Sequence, residues 1–171
     1  MITINQQVIS RERVTAHGEV FTAQREVNSM CDLVAEECSD PHATFLEPAC
    51  GTGNFLVEIL SRKLAAIPHD SDYERKSLVA LSSLYGIDIL DDNVKTCRHR
   101  LFQLWDSLAQ HSQAAKVQAA TILQYNIVCG DTLKPHTITL NEWTFSGDNI
   151  TAKSFTLEEE MTGQIALPLE E

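Results

Sequence analysis

The chain has 171 residues and a net charge of −11, with 43% hydrophobic and 22% charged side chains. That length fits one domain with a real core. It contains no run of about 18 apolar residues that would span a membrane, and the opening MITINQQVISRER lacks the apolar stretch of a secretory signal. A cytoplasmic protein is expected. The charge is net −6 over residues 138–171 and net −5 over residues 1–137. Neither part has the clustered Lys and Arg that a nucleic-acid backbone demands. Cysteines 31, 38, 50, 97 and 129 form no CxxC pair. This pattern predicts buried thiols in a reducing compartment and no metal site.

Residues 1–23 are polar and irregular around the cluster His17-Gly18-Glu19-Val20-Phe21-Thr22. Val27, Met30, Cys31, Val34 and Cys38 then recur at spacings of three and four. The spacing predicts an amphipathic helix over 24–38, broken by Ser39-Asp40-Pro41. Ala43 to Glu47 reads as a short buried strand and Gly51 to Gly53 as a turn. Residues 54–66 read as a helix that turns Phe55, Leu56, Ile59, Leu60 and Leu64 inward. A polar loop (67–74), a helix (75–83) and a second buried strand (84–89) follow. Asp91 is placed to cap the next helix, with Val94, Cys97, Leu101, Leu104, Trp105 and Leu108 as its apolar stripe. A helical piece at 113–123 precedes a third strand at 125–130, which ends at Asp131. This alternation predicts an α/β fold, a parallel sheet with crossover helices, over residues 1–134.

From residue 135 the character changes. Thr137 to Leu140 is β-branched, Trp143 and Phe145 follow, and Ser146-Gly147-Asp148-Asn149 signals a turn before a second β-like run from Ile150 to Leu157. Residues 135–171 therefore read as a β-hairpin or arm followed by a loose acidic tail. A half-sheet leaves its third strand with an open edge. The arm is expected to cover it, or else a second copy of the chain in a homodimer.

In an open α/β sheet, ligands bind beyond the carboxyl ends of the strands. Glu47-Pro48-Ala49-Cys50-Gly51-Thr52-Gly53 follows the first strand, and its glycines let backbone N–H groups approach a ligand closely. There is no third glycine at the dinucleotide spacing and no Gly-Lys-Ser/Thr of a phosphate loop. Glu47, just before the turn, suits a cationic group. Asp88, at the end of the second strand, is placed to accept ribose hydroxyls, and Asp131, after the third, to accept from an adenine amino group. Ribose, adenine and a positively charged tail together describe S-adenosylmethionine.

HGEVFT before a helix, then FLEPACGTGNFLVEIL, YGIDIL and NIVCGD, closely resemble the N6-adenine DNA methyltransferases of restriction–modification systems. The gamma order of motifs, found in their modification subunits, fits best. The resemblance covers roughly residues 11–134. It implies a truncated Rossmann-like class I methyltransferase fold with S-adenosylmethionine as cofactor. It also implies that Glu47, Pro48, Gly51, Gly53 and Phe55 shape the pocket, Asp88 holds the ribose, Ile89 flanks the adenine and Asp131 takes its amino group. Gly18 and Thr22 would contact the methionine portion. Ala23 stands where the family commonly has proline.

The family's catalytic signature is Asn or Asp, then Pro-Pro, then Tyr or Phe. The five prolines here (41, 48, 68, 135 and 168) are never adjacent, so the catalytic residues are unknown. Three readings follow. The chain is a methyltransferase subunit whose partner chain supplies the catalytic motif and the DNA-recognition region, with DNA bound only through that partner. Alternatively it is a catalytically silent module that binds cofactor or protein, or, least favoured, a methyltransferase of small substrates.

Overall fold

The computed structural model describes residues 22–147 and 149–165. Three parallel strands, β1 (Phe45–Glu47), β2 (Leu84–Asp88) and β3 (Ile127–Cys129), form one sheet in the order β1-β2-β3. Helices α1 (Gln24–Asp32) and α2 (Ala35–Ser39) precede β1. Helices α3 (Asn54–Ala66) and α4 (Tyr73–Ser82) connect β1 to β2, and α5 (Asp91–Ser107) and α6 (Gln113–Asn126) connect β2 to β3. The fold is a mixed α/β, shortened Rossmann-like arrangement, as the alternation of strand and helix predicts. No helix among the described residues is long and apolar enough to cross a membrane.

The expected single helix over 24–38 is two helices, interrupted at Leu33-Val34, where Val34 leaves helical geometry (φ −128°, ψ 44°). The break resets the helical phase. Val27, Cys31 and Cys38 reach the core, while Met30 and Val34, which the periodicity places inward, stand in solvent. β1 is an edge strand among the described residues rather than a buried one, paired with β2 alone and with Leu46 exposed. Tyr125 and Asn126, expected in the third strand, end α6 instead. Along α5 the stripe holds at Val94, Cys97, Leu101 and Trp105, but Leu108 is exposed. Leu90 caps that helix rather than Asp91, which pairs with Lys95 at 2.6 Å.

One face of the sheet packs on α3 through Leu56, Leu60 and Leu84. The other, through Tyr85 and Ile87, meets Ile138, Leu140 and Leu157. These last residues belong to the C-terminal unit: a 3-10 turn (Pro135–Thr137), the antiparallel hairpin β4 (Thr139–Ser146) and β5 (Asn149–Thr156), and helix α7 (Leu157–Ile165). The hairpin forms its own two-stranded sheet. It covers a face of the parallel sheet rather than extending the edge of β3, as the sequence leads one to expect. Asn126 fastens it, donating to the Ser82 carbonyl (2.8 Å) and accepting from Trp143 Nε1 (2.9 Å). Trp143 and Phe145 pack against the core. The supposed loose tail begins as helix because Thr156 and Glu159 form a reciprocal cap. Glu159 accepts from the Thr156 N–H at 2.7 Å, and its own N–H donates back to Thr156 Oγ1 at 3.3 Å.

Four of the five cysteines are buried, as expected of structural thiols, but Cys129 is exposed. It lies at the end of β3, with its thiol 3.5 Å from the Ile89 carbonyl.

Candidate functional site

The glycine turn after β1 is held against the end of β2. Cys50 N–H donates to the Ile87 carbonyl and Gly51 N–H to Asp88 Oδ2, each at 2.8 Å. Gly51 (φ 52°) and Gly53 (φ 86°) both occupy the left-handed region that favours glycine. Gly53 caps α3, its carbonyl accepting from Val57 N–H at 2.9 Å. Behind it stands Cys97. A β-carbon on Gly53 would lie 2.5 Å from Cys97 Sγ.

Asp88 is the hub of the site. Besides Gly51, its carboxylate accepts from Leu90 N–H (2.8 Å) and Asn93 Nδ2 (3.2 Å). A carboxylate offers about four lone-pair positions, so the protein already fills most of them. The sequence leads one to expect Asp88 to accept the hydroxyls of a ribose; in the structure its carboxylate also fixes the turn. Asp131 is freer. One oxygen accepts from Leu133 N–H at 3.1 Å and the other lies 3.5 Å from Lys134 Nζ.

Thr22, Glu47, Pro48, Gly51, Phe55, Asp88, Ile89 and Asp131 line one cleft of about 380 Å³ at the carboxyl ends of the strands. That volume lies within the usual range for small-molecule sites. Gly53 does not line the cleft but sets the turn from behind, and Gly18 lies outside the described residues. Sequence reasoning missed Asn54, Cys50, Asn93 and Leu133, which also face the cleft. Asn54 follows the last glycine of the turn directly. Asn93 sits in the first turn of the helix after Asp88, so position alone marks both.

The lining carries three carboxylates and no Lys or Arg, which repels a phosphate. Burial pushes the Glu47 carboxyl above the usual carboxylate range, partly offset by the Ala49 N–H. No cation among the described residues pairs with it. A half-buried acid of this kind is stabilised by a positive ligand group. The exposed apolar side chains of Ile89 and Leu133 flank the mouth, where a flat ring system can lie against them. Three carboxylate acceptors beside apolar flanks suit a ligand that carries a cationic group and an apolar face.

Cys129 leads directly into the lining residues Gly130 and Asp131. With a disulfide reagent such as dithiobis(nitrobenzoate), one thiol of the folded chain is expected to react rapidly and four only slowly. Unfolding should expose all five. Stopped-flow counting of released thionitrobenzoate checks this, and two or more fast thiols would contradict it.

No family model matches the chain, and no solved structure matches it. It is 30% identical over 100 residues to a candidate type II restriction enzyme and methyltransferase of Methanocaldococcus jannaschii, covering 52% of this chain and 8% of that protein. It is 27% identical over 101 residues to a type II methyltransferase of a Vibrio species, covering 59% of this chain and 21% of that protein. These partial likenesses support a distant relationship to restriction–modification methyltransferases. The matched region is about a fifth of the length of one relative and less than a tenth of the other.

Proposed function

We propose that the cleft binds S-adenosylmethionine and that the chain is the cofactor-binding half of an adenine-directed DNA methyltransferase. The observation that carries this reading is the convergence of Glu47, Asp88 and Asp131, each from the end of a different strand, on one acidic cleft beside a glycine turn. The motif resemblance and the two methyltransferase relatives support it. Within the cleft, Asp131 accepts the adenine amino group, Ile89 and Leu133 enclose the ring, and Asp88 offers its remaining lone pair to the ribose. Glu47 faces the ammonium of the methionine portion. When bound, the cofactor supplies an activated methyl group. The sequence given contains no Asn- or Asp-Pro-Pro-aromatic motif; in this reading the group that orients the acceptor amine and the DNA-binding surface are supplied from outside these residues, by a partner chain. The same observation favours a second reading, a silent cofactor-binding regulator. That reading is distinguished by the lack of methyl transfer in the presence of every such partner.

Calorimetric titration tests the cofactor. S-adenosylmethionine and its demethylated product are expected to bind in the micromolar range, about −8 kcal/mol. Asp131→Ala should weaken both about tenfold. It is a cleaner probe than Asp88→Ala, which also releases the turn. Glu47→Gln should weaken both ligands but leave methylthioadenosine, which lacks the amino-acid tail, unchanged. The pH dependence follows from the same residue. A cationic tail binds best to ionised Glu47, whose pKa is raised above 4.5 in the free protein. Affinity therefore falls as the pH drops through that raised value, and Glu47→Gln flattens the profile. An intact chain that binds none of the three ligands would refute the reading.

A further inference from the structure

Helix α5 meets the site along one face. Asn93, Cys97 and Arg100, spaced at i, i+4 and i+7, lie on the same side of the helix. Asn93 donates to Asp88. Cys97 occupies the space behind Gly53. The third residue makes the least expected contact. Arg100 Nη1 donates to the Thr52 carbonyl at 2.6 Å, to Thr52 Oγ1 at 3.3 Å and to Asn54 Oδ1 at 2.8 Å. Asn54 in turn donates through Nδ2 to the Thr22 carbonyl at 3.0 Å. Thr22 and Asn54 both line the cleft, and Arg100 does not.

The chemistry of this relay is directional. A guanidinium has five donors and no acceptor, whereas an asparagine amide has an acceptor oxygen at one end and a two-donor NH₂ at the other. Arg100 therefore dictates which end of the Asn54 amide faces it, and it must be the oxygen. The NH₂ is then left to face Thr22, where only a donor satisfies the carbonyl. With any acceptor at position 100 the amide would turn over and set oxygen against oxygen at Thr22.

We propose that Arg100 is a positioning residue for the cofactor cleft. Acting through the orientation of the Asn54 amide, it ties Thr22, just before α1, to the cleft wall. This rests on the reading of the cleft as a cofactor site. The family resemblance implies that Thr22 contacts the methionine portion, and on that reading the wall that Arg100 sets is the one facing the amino-acid tail. Arg100 is thus a remote determinant of tail recognition, twelve residues beyond Asp88 along the chain and outside every motif that carries the resemblance.

The test compares Arg100→Lys, Arg100→Met and Arg100→Glu, each also in an Asn54→Ala background. Two readouts are used on the full chain: the side-chain NH₂ resonances of Asn54 by NMR without ligand, and affinities for S-adenosylmethionine and methylthioadenosine. Arg100→Lys keeps a donor-only group and should retain the Asn54 resonances and most of the affinity. Arg100→Met should shift those resonances and weaken S-adenosylmethionine about fivefold to tenfold, and Arg100→Glu more. Methylthioadenosine should change less than twofold in each. In the Asn54→Ala background the substitutions at 100 should have no further effect on affinity. Additive effects, equal losses for both ligands, or unmoved Asn54 resonances in Arg100→Met would overturn the proposal. If the wild-type chain binds neither ligand, the cofactor reading fails. The amide resonances alone then decide whether Arg100 orients Asn54.

Discussion

Gly53→Ala is expected to destabilise the chain by about 2–5 kcal/mol, the largest effect of any single methyl group added near the cleft. Two costs combine. The residue sits at φ 86°, where a β-carbon costs roughly 1–2 kcal/mol against the following carbonyl. That carbon would also stand 2.5 Å from Cys97 Sγ, and overpacking of this kind typically costs about 1–3 kcal/mol. Neither neighbour has an easy retreat. Cys97 is fully buried on α5, and Gly53 starts α3 while its N–H donates to the Cys50 carbonyl at 2.8 Å. The two costs separate in a double-mutant cycle. Cys97→Ala removes the sulfur, so in that background Gly53→Ala should lose only the backbone part, roughly 1–2 kcal/mol. Urea midpoints at constant slope measure each corner of the cycle. Equal losses in both backgrounds would show that the sulfur is not what Gly53 accommodates.

Gly53 also shows what the sequence could convey about this site. The turn, the carboxylates at the strand ends and the parallel sheet are local or periodic features, and a linear reading finds them. Cys97 behind Gly53 and Arg100 behind Thr52 are contacts between α5 and a turn more than forty residues earlier. No spacing rule reports them. The position of the hairpin was equally invisible. Its strands and turn follow from β-branched runs around Ser146-Gly147, but its seat on a sheet face involves long-range contacts, the part-buried hydrogen bond between Trp143 and Asn126 and the packing of Ile138 and Leu140 on Tyr85 and Ile87. The break between α1 and α2 escaped for a different reason. Apolar residues continue in helical phase through Leu33 and Val34, and neither a glycine nor a proline marks the interruption. Composition alone does not reveal the helix over Leu157–Ile165, although Thr156-x-x-Glu159 is a capping signature present in the sequence.

Lys63 gives the second large effect. A charged residue in phase with Leu56, Ile59 and Leu60 on α3, it is fully buried. Its ammonium donates to the carbonyls of Asp40 and Ala43, the latter at 2.6 Å, and lies 5.2 Å from the centre of the Phe45 ring. One side chain thereby fastens the segment leading into β1 onto the helix that follows the glycine turn. Lys63→Ala removes both donors and leaves a cavity, and is expected to cost about 3–5 kcal/mol. Lys63→Met keeps most of the volume and should cost less, because it also removes a buried charge. Burial lowers the Lys63 pKa to about 8 from 10.5, against the opposing pull of Asp40 and Cys38. The sign of the pH effect follows. Between about 8 and 10.5 the unfolded chain holds this proton and the folded chain does not, so the lysine's contribution to stability rises with pH across that window. Below about 8 both states hold it and the fold carries the full desolvation cost. The raised pKa values of Cys31 (about 11) and Tyr85 (about 12) pull the other way at high pH. The contribution is therefore isolated by subtracting the Lys63→Met profile from that of the wild type. A difference that grows from pH 8 to 10, on the order of a few kcal/mol, is the expected result. A flat difference would mean that Lys63 titrates as an exposed lysine does, and that its two carbonyl contacts do not hold the amine in the core.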